Sequence, residues 1–291
     1  MFLSVTLALT LAQLPTPTPF EFKDGDRVVW LGSTLVEREQ RYGYWETALL
    51  LANPGKKITF RNLGWSGDTV HGEARGRFDF ANAEKCFRQI VDQTLELKPT
   101  VIFISYGTNE SFAGEAGLPK FEKGLEKLLD ALKPTSARIV LFSPMKFVPP
   151  AQTNPANTNL QRYAGSIRKV AEQRRHHYAD LFDWDVGLLA KATDNGLHLN
   201  EAGYQLTAPV LLQALGLKMP TIPPEQWEPL RQAVIAKNEL FFHRWRPQNE
   251  TYLFGFRKHE QGKNAKEVAE FDPLIAKAEE EIEKLRRALA K

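Results

Sequence analysis

Two runs constrain this chain more than anything else in it: TVIFISYG at residues 100–107 and ARIVLFSP at 137–144. Their central positions are apolar on both parities, without the period-two alternation of a strand that has one wet face. Such a run has to be buried on both sides, the condition of a parallel sheet covered by helices. RVVWLG (27–32) is a third strand, ending in Gly, and KITFRNLG (57–64) a fourth, ending in a Gly-containing turn. HYADLFD (177–183) contains a short fifth. Between them lie helical periods at 37–52, 81–97, 119–132 and 156–175. The period at 81–97 repeats Cys86, Phe87, Ile90, Val91 and Leu95. NEAGYQLTAPVLLQALG (200–216) reads as a last core helix with Leu206, Val210, Leu211 and Leu215 on one face and Gly216 as its stop. Strand–helix alternation of this kind predicts a three-layer α/β/α sandwich on a parallel sheet.

In such sheets ligands sit at the carboxyl ends of the strands. The residues to inspect are therefore Gly32 to Thr34, Gly64 to Asp68, Gly107 to Glu110 and Ser143 to Lys146, with TDNGLHLNEAGY leading into the last helix. Three of these loops fit together chemically. NLGWSGDT (62–69) has glycines that let backbone N–H groups turn inward. YGTNES (106–111) places Asn109 just after a buried strand, where its side-chain amide can donate. A backbone N–H and an Asn amide together make an oxyanion hole. DNGLHLN (194–200) places His198 beside acidic and amide groups just before a helix, a setting for a general base. A hydroxyl at the end of the first strand completes an acyl-transfer site.

With those motifs in hand, the chain resembles the SGNH (GDSL-type) esterase/lipase family. That family carries Gly-Asp-Ser after the first strand, Gly after the second, Gly-x-Asn after the third and Asp-x-x-His near the end. The resemblance runs over roughly residues 26–216 and implies a flavodoxin-like fold and ester hydrolysis. Ser66-Gly67-Asp68 aligns Gly67 with the oxyanion glycine. Gly107-Thr108-Asn109 aligns Asn109 with the oxyanion asparagine, and His198 with the base. Two positions depart. The first block reads Gly32-Ser33-Thr34, so the resemblance puts Thr34 in the nucleophile position and Ser33 where the family has Asp. Ser33 is the alternative nucleophile if the turn is shifted by one residue. Three residues before His198 stands Asn195 instead of Asp, with Asp194 one position earlier. An Asn can turn its NH₂ toward the imidazole and favour the wrong tautomer, a change that costs about 10⁴ in rate in serine proteases. Asp194, Asp183 and Asp185 are the carboxylates that stand near enough in sequence to substitute.

Other candidates have simpler readings. Ser66 fails the Gly-x-Ser-x-Gly spacing and reads as a turn residue, with Asp68 capping a following helix. Glu110 reads either as orienting the loop or touching a polar substrate, or as a surface or capping carboxylate, and His71 as solvent-facing, with a pocket-lining role as the alternative. His176 and His177 cannot face one metal from a regular helix and read as a helix C-terminal cap. Cys86, the single cysteine, reads as a small core residue. No phosphate loop, dinucleotide fingerprint or zinc-protease motif is present, so no metal or cofactor is expected. A net charge of +3 argues against a nucleic-acid partner.

The ends differ from the middle. MFLSVTLALTLAQ is an apolar run with Thr10 and Ala12 as a small-residue cleavage site, shorter than the about 20 residues of a membrane span. With the PTPTP spacer it predicts an export segment over 1–19 and a periplasmic or extracellular mature protein. The hydrolase-type domain then covers 20–217. Residues 218–291 form a helical extension rich in aromatics and Arg, ending in a charged, solvated helix. The expected function is hydrolysis of a small-molecule or carbohydrate ester. The alternatives are a ligand- or glycan-binding module that keeps the pocket without the triad, and an interaction protein that uses the tail as its surface.

Overall fold

The sheet has five parallel strands in the order β2-β1-β3-β4-β5. They are β1 (Arg27–Gly32), β2 (Thr59–Asn62), β3 (Val101–Ser105), β4 (Arg138–Phe142) and β5 (His177–Ala179). The structure is a computed structural model that describes residues 19–76, 79, 81–148, 155–182, 191–260 and 264–289. The export segment and most of the spacer expected at the start of the chain lie outside the described residues. No helix among the described residues is long and apolar enough to cross a membrane.

Both-face burial of the strands follows from their composition. Val28, Trp30, Val101, Phe103, Val140 and Phe142 point into one core, and Val29, Leu31, Ile102, Ile104, Ile139 and Leu141 into the other. The first core is closed by α2 (Tyr44–Leu51), α6 (Glu201–Ala214) and α7 (Pro224–Trp245). The second is closed by α3 (Ala83–Glu96), α4 (Leu118–Leu132) and α5 (Ala156–Arg174). Each fully buried Leu, Ile, Val or Phe stabilises the fold by about 1.5–3 kcal/mol over its exposed form. Cys86 is buried on α3, as expected.

The chain leaves β1 toward β2 on one side and returns to β3 on the other. The order of connection therefore reverses between β1 and β3, and a crevice opens at their carboxyl ends. Gly32 stands opposite Ser105 at that point.

Two expectations, on the first helix and on Leu206, need correction. The helical period at 37–52 is two helices, α1 (Thr34–Tyr42) and α2, because Gly43 takes φ +67 and its N–H closes α1 on the carbonyl of Glu39. In α6, Leu206 is 46% exposed while Leu211 and Leu215 are fully buried, so Leu206 is off the core face. The tail forms α7, α8 (Glu250–Leu253) and α9 (Phe271–Leu289), and α9 is wet on one side only. Ile275, Ile282 and Arg286 of α9 are buried, Glu279 pairs with Arg61, and Arg286 donates to the carbonyl of Pro54.

α7 is pinned to the sheet by a buried charge cluster. Lys237 Nζ lies 2.8 Å from Glu46 and also donates to the carbonyl of Phe60 at 3.1 Å and to Asn238 at 2.7 Å. Burial pushes the Lys237 ammonium down and the Glu46 carboxyl up, while each partner opposes that shift in the other. Breaking one side of such a pair leaves an uncompensated buried charge. Lys237→Met is expected to lose about 3–5 kcal/mol in urea unfolding, and Glu46→Leu/Lys237→Met to lose clearly less.

Candidate active site

Gly32 is the last residue of β1 and Thr34 the first of α1, with Ser33 between them as the extended N-cap. Ser33 is buried; Thr34 is half-exposed. Both line a small cavity of about 40 Å³ that also includes Asn109, Phe147 and His198. The first N–H groups of α1 have no intrahelical acceptors, so the helix presents its positive end here. Thr34 Oγ1 accepts from the N–H of Gly67 at 3.1 Å.

The loop after β2 carries that N–H. Trp65 N–H donates to the carbonyl of Gly32 at 2.9 Å, and residues 66–67 make a turn in which Gly67 has φ +74. This is the left-handed region, where glycine is the default residue. Ser66 is a turn residue, as expected. Asp68 is fully buried and is no simple helix cap. It accepts from Arg75 Nε at 2.7 Å and Tyr106 O–H at 3.1 Å, besides the N–H of Ala74 at 3.3 Å. Arg75, also buried, donates to the carbonyl of Leu63 at 2.7 Å, so the pair clamps both ends of the loop.

Asn109 donates one amide proton to the carbonyl of Asp68 at 2.8 Å, which leaves the second to its other side. Glu110 takes the loop-orienting one of its two readings. One carboxylate oxygen accepts from Val70 N–H at 2.9 Å and the other from Gly107 N–H at 2.8 Å. It thereby staples the two loops that carry Gly67 and Asn109. Burial pushes this carboxyl up to about 7, with nearby Asp68 adding to the rise. His71 is half-buried against α4, next to Gly124, and burial lowers its pKa; it does not face solvent. His177 opens β5 and packs edge-on to Phe20, while Arg175 in the left-handed conformation is the residue that caps α5. Among the described residues no three His, Cys, Asp or Glu side chains gather to hold a metal.

His198 is presented by a tight loop closed by the Thr193–Leu199 bridge and tied to the β4 side by Val148 N–H on the carbonyl of Gly196 at 2.9 Å. Asn195 Oδ1 accepts two backbone N–H groups, from Leu197 at 3.1 Å and His198 at 3.0 Å. That fixes which way the amide faces. Its NH₂ is the group 3.2 Å from His198 Nδ1. Nδ1 must then accept, and the neutral ring carries its proton on Nε2. Asp194 pairs with Arg38 and not with the ring. Asp183 and Asp185 lie outside the described residues. Burial, then the Arg38 charge, lowers the His198 pKa, with Asp194 opposing. Among the described residues no hydrogen bond joins Thr34 to His198.

Residues 25–206 match the model of the GDSL-like Lipase/Acylhydrolase family. The chain belongs to that family. It is similar in fold to a catalytic mutant of the acetylxylan esterase Axe2 from Geobacillus stearothermophilus, at 18% identity and TM-score 0.55, over 68% of this chain and 98% of that one. A gut microbial diltiazem-metabolizing enzyme matches at 12% identity and TM-score 0.64, over 94% of this chain and 97% of the other. The second match spans the C-terminal helices as well. No curated protein matches the chain.

Sequence reading missed the Asp68–Arg75 pair and the contact between Arg38 and Asp194. The position of Glu110 directly after Asn109 was the signal for its loop-orienting role. The folded state holds the Glu110 proton more tightly than the unfolded chain does, so stability falls as pH rises from about 4.5 toward 7. Glu110→Gln is expected to flatten that fall in thermal melts run across the window.

Proposed function

We propose that this chain hydrolyses short acyl esters, with Thr34 as nucleophile, His198 as general base, and Gly67 N–H and the Asn109 amide as oxyanion donors. The observation that carries the reading is the convergence of Thr34, Gly67 N–H, Asn109 and His198 at one crevice, in a member of an acylhydrolase family. Thr34 attacks the acyl carbon and His198 Nε2 takes its proton; the negative charge that develops on the carbonyl oxygen meets the two donors, and collapse of the intermediate breaks the ester C–O bond as His198 gives that proton to the departing alcohol. The acyl-enzyme is then cleaved by water, with His198 acting in the same way.

Asn195 sets the rate of this scheme. Nε2 can accept the Thr34 proton only in the Nδ1–H tautomer, which the Asn195 amide disfavours. The enzyme is accordingly a slow one as it stands. The small cavity between Thr34, Asn109, Phe147 and His198 supports a short acyl group. Phe112, 64% exposed and stacked on the cavity-lining Phe147 at 5.7 Å, supplies an apolar wall for the alcohol side. Together with the likeness to an acetylxylan esterase, that wall favours a carbohydrate acetyl ester.

The test is 4-nitrophenyl ester hydrolysis by the purified protein. Acetate is expected to be cleaved well ahead of octanoate. Thr34→Ala and His198→Ala should fall to background, and Ser33→Ala should not. Asn195→Asp keeps an oxygen for the two backbone N–H groups and adds an acceptor for Nδ1–H. It is expected to raise kcat/KM at least tenfold, with a ceiling of about 10⁴. The rate should fall on acidification only below the ordinary histidine value of 6.5, because the folded His198 pKa is lowered. A wild type that matches His198→Ala on every ester would defeat the proposal.

A further inference from the structure

The C-terminal extension lies beyond the family match, which ends at residue 206. One of its side chains nevertheless reaches the loop that carries Gly67. Arg246, at the end of α7, donates to the carbonyl of Gly64 across 182 residues of sequence. Its guanidinium lies 3.9 Å from the centroid of the Trp65 ring, with Arg75 near the same ring at 5.2 Å. It also pairs with Glu37 at 3.3 Å, and the same Glu37 oxygen accepts the N–H of Ser66. Gly64, Trp65 and Ser66 are thus held one after another, by carbonyl, ring and N–H. The next residue is Gly67.

On its far side the turn is held by Asp68, which pairs with Arg75 and Tyr106 and accepts from Asn109 through its carbonyl. Ser66 and Gly67 are exposed, and a side chain built on Gly67 would meet nothing within 4 Å. The direction of the Gly67 N–H therefore depends on both stems of the turn, and Arg246 and Glu37 hold the leading one. An oxyanion donor contributes to catalysis only when it is aimed in advance at the developing charge, and loss of one such donor costs about 10²–10³ in kcat.

We propose that the extension is a working part of the site, with Arg246 a positioning residue that fixes the loop presenting Gly67 N–H. The catalytic half of this statement rests on the acylhydrolase reading; the positioning half does not. The Arg246 side chain is 15% exposed, and burial pushes its guanidinium down to about 10. Guanidinium geometry suits the task, since one planar group donates to a carbonyl, pairs with a carboxylate and stacks on an indole at once.

Arg286 provides the control. It is a second buried Arg of the extension that donates to a domain carbonyl, that of Pro54, which lies ahead of β2 and outside the Gly67 loop. The experiment compares wild type, Arg246→Met, Arg246→Lys and Arg286→Met in the full chain, by amide hydrogen exchange over residues 63–70 and by 4-nitrophenyl acetate kinetics. Arg246→Met is expected to speed exchange at Ser66 and Gly67 at least tenfold and to lower kcat at least tenfold, with KM within about twofold. Arg246→Lys should recover part of both. Arg286→Met should lower Tm while leaving loop protection and kcat as in wild type.

The inference is overturned if Arg246→Met leaves exchange at 66 and 67 unchanged, or if Arg286→Met changes it equally. It is also overturned if kcat survives a loosened loop. Should Arg246→Met fail to fold, Arg246→Lys carries the same comparison. Should wild type show no esterase activity above His198→Ala, the acylhydrolase reading falls, and the exchange data still decide whether Arg246 positions the loop.

Discussion

The pairing of β1 with β3 is the constraint on which the rest depends. Both strands are apolar on both faces, so the only stable place for them is the middle of a covered parallel sheet. Once Gly32 stands opposite Ser105, the turn after β1 and the turn after β3 must open side by side. The β2 loop is drawn to the same place by Trp65 N–H on the carbonyl of Gly32. Thr34, Gly67 and Asn109 therefore meet because of strand order and register, before any interaction between their own side chains. Only His198 arrives by a separate route, on the loop ahead of α6.

Around that meeting point the polar groups are unusually well tied for a solvent-facing crevice. Asp68, Arg75 and Tyr106 form one buried set, and Glu110 closes the gap between the Gly67 and Asn109 loops. Fully satisfied buried networks of this kind hold backbone geometry, and they cost stability if any member is removed. The base is the exception. The Asn195 amide spends its oxygen on backbone N–H groups and turns its nitrogen to the ring, which fixes the imidazole firmly but in the less useful tautomer. In the proposed hydrolysis, donors held in advance beside an imidazole in that tautomer suit binding an oxyanion better than generating one.

Some of this could be read from the residues and some could not. The strands were legible because two-sided burial leaves an uninterrupted apolar run, and the loops to inspect followed from the parallel sheet. The Asn195 problem was legible too, since it needs only residue type and spacing relative to His198. The split of the first helix was not, because a left-handed Gly43 inside an otherwise helical period gives no break in hydrophobic pattern. Glu110 and Asp68 carry polar side chains whose burial is decided by loops from other parts of the chain. Arg246 is the extreme case: its partner Gly64 lies 182 residues away, and no local pattern announces an Arg that will lie against Trp65.

The most direct test of the account is the protonation state of the His198 ring nitrogens, read by long-range ¹H–¹⁵N NMR on the uniformly labelled protein at neutral pH, with His198→Gln for assignment. The account predicts a neutral ring with Nδ1 unprotonated and the proton on Nε2, switching to Nδ1–H in Asn195→Asp. A wild-type ring already protonated on Nδ1 would contradict it, and would mean that Asn195 does not hold the base in the orientation described.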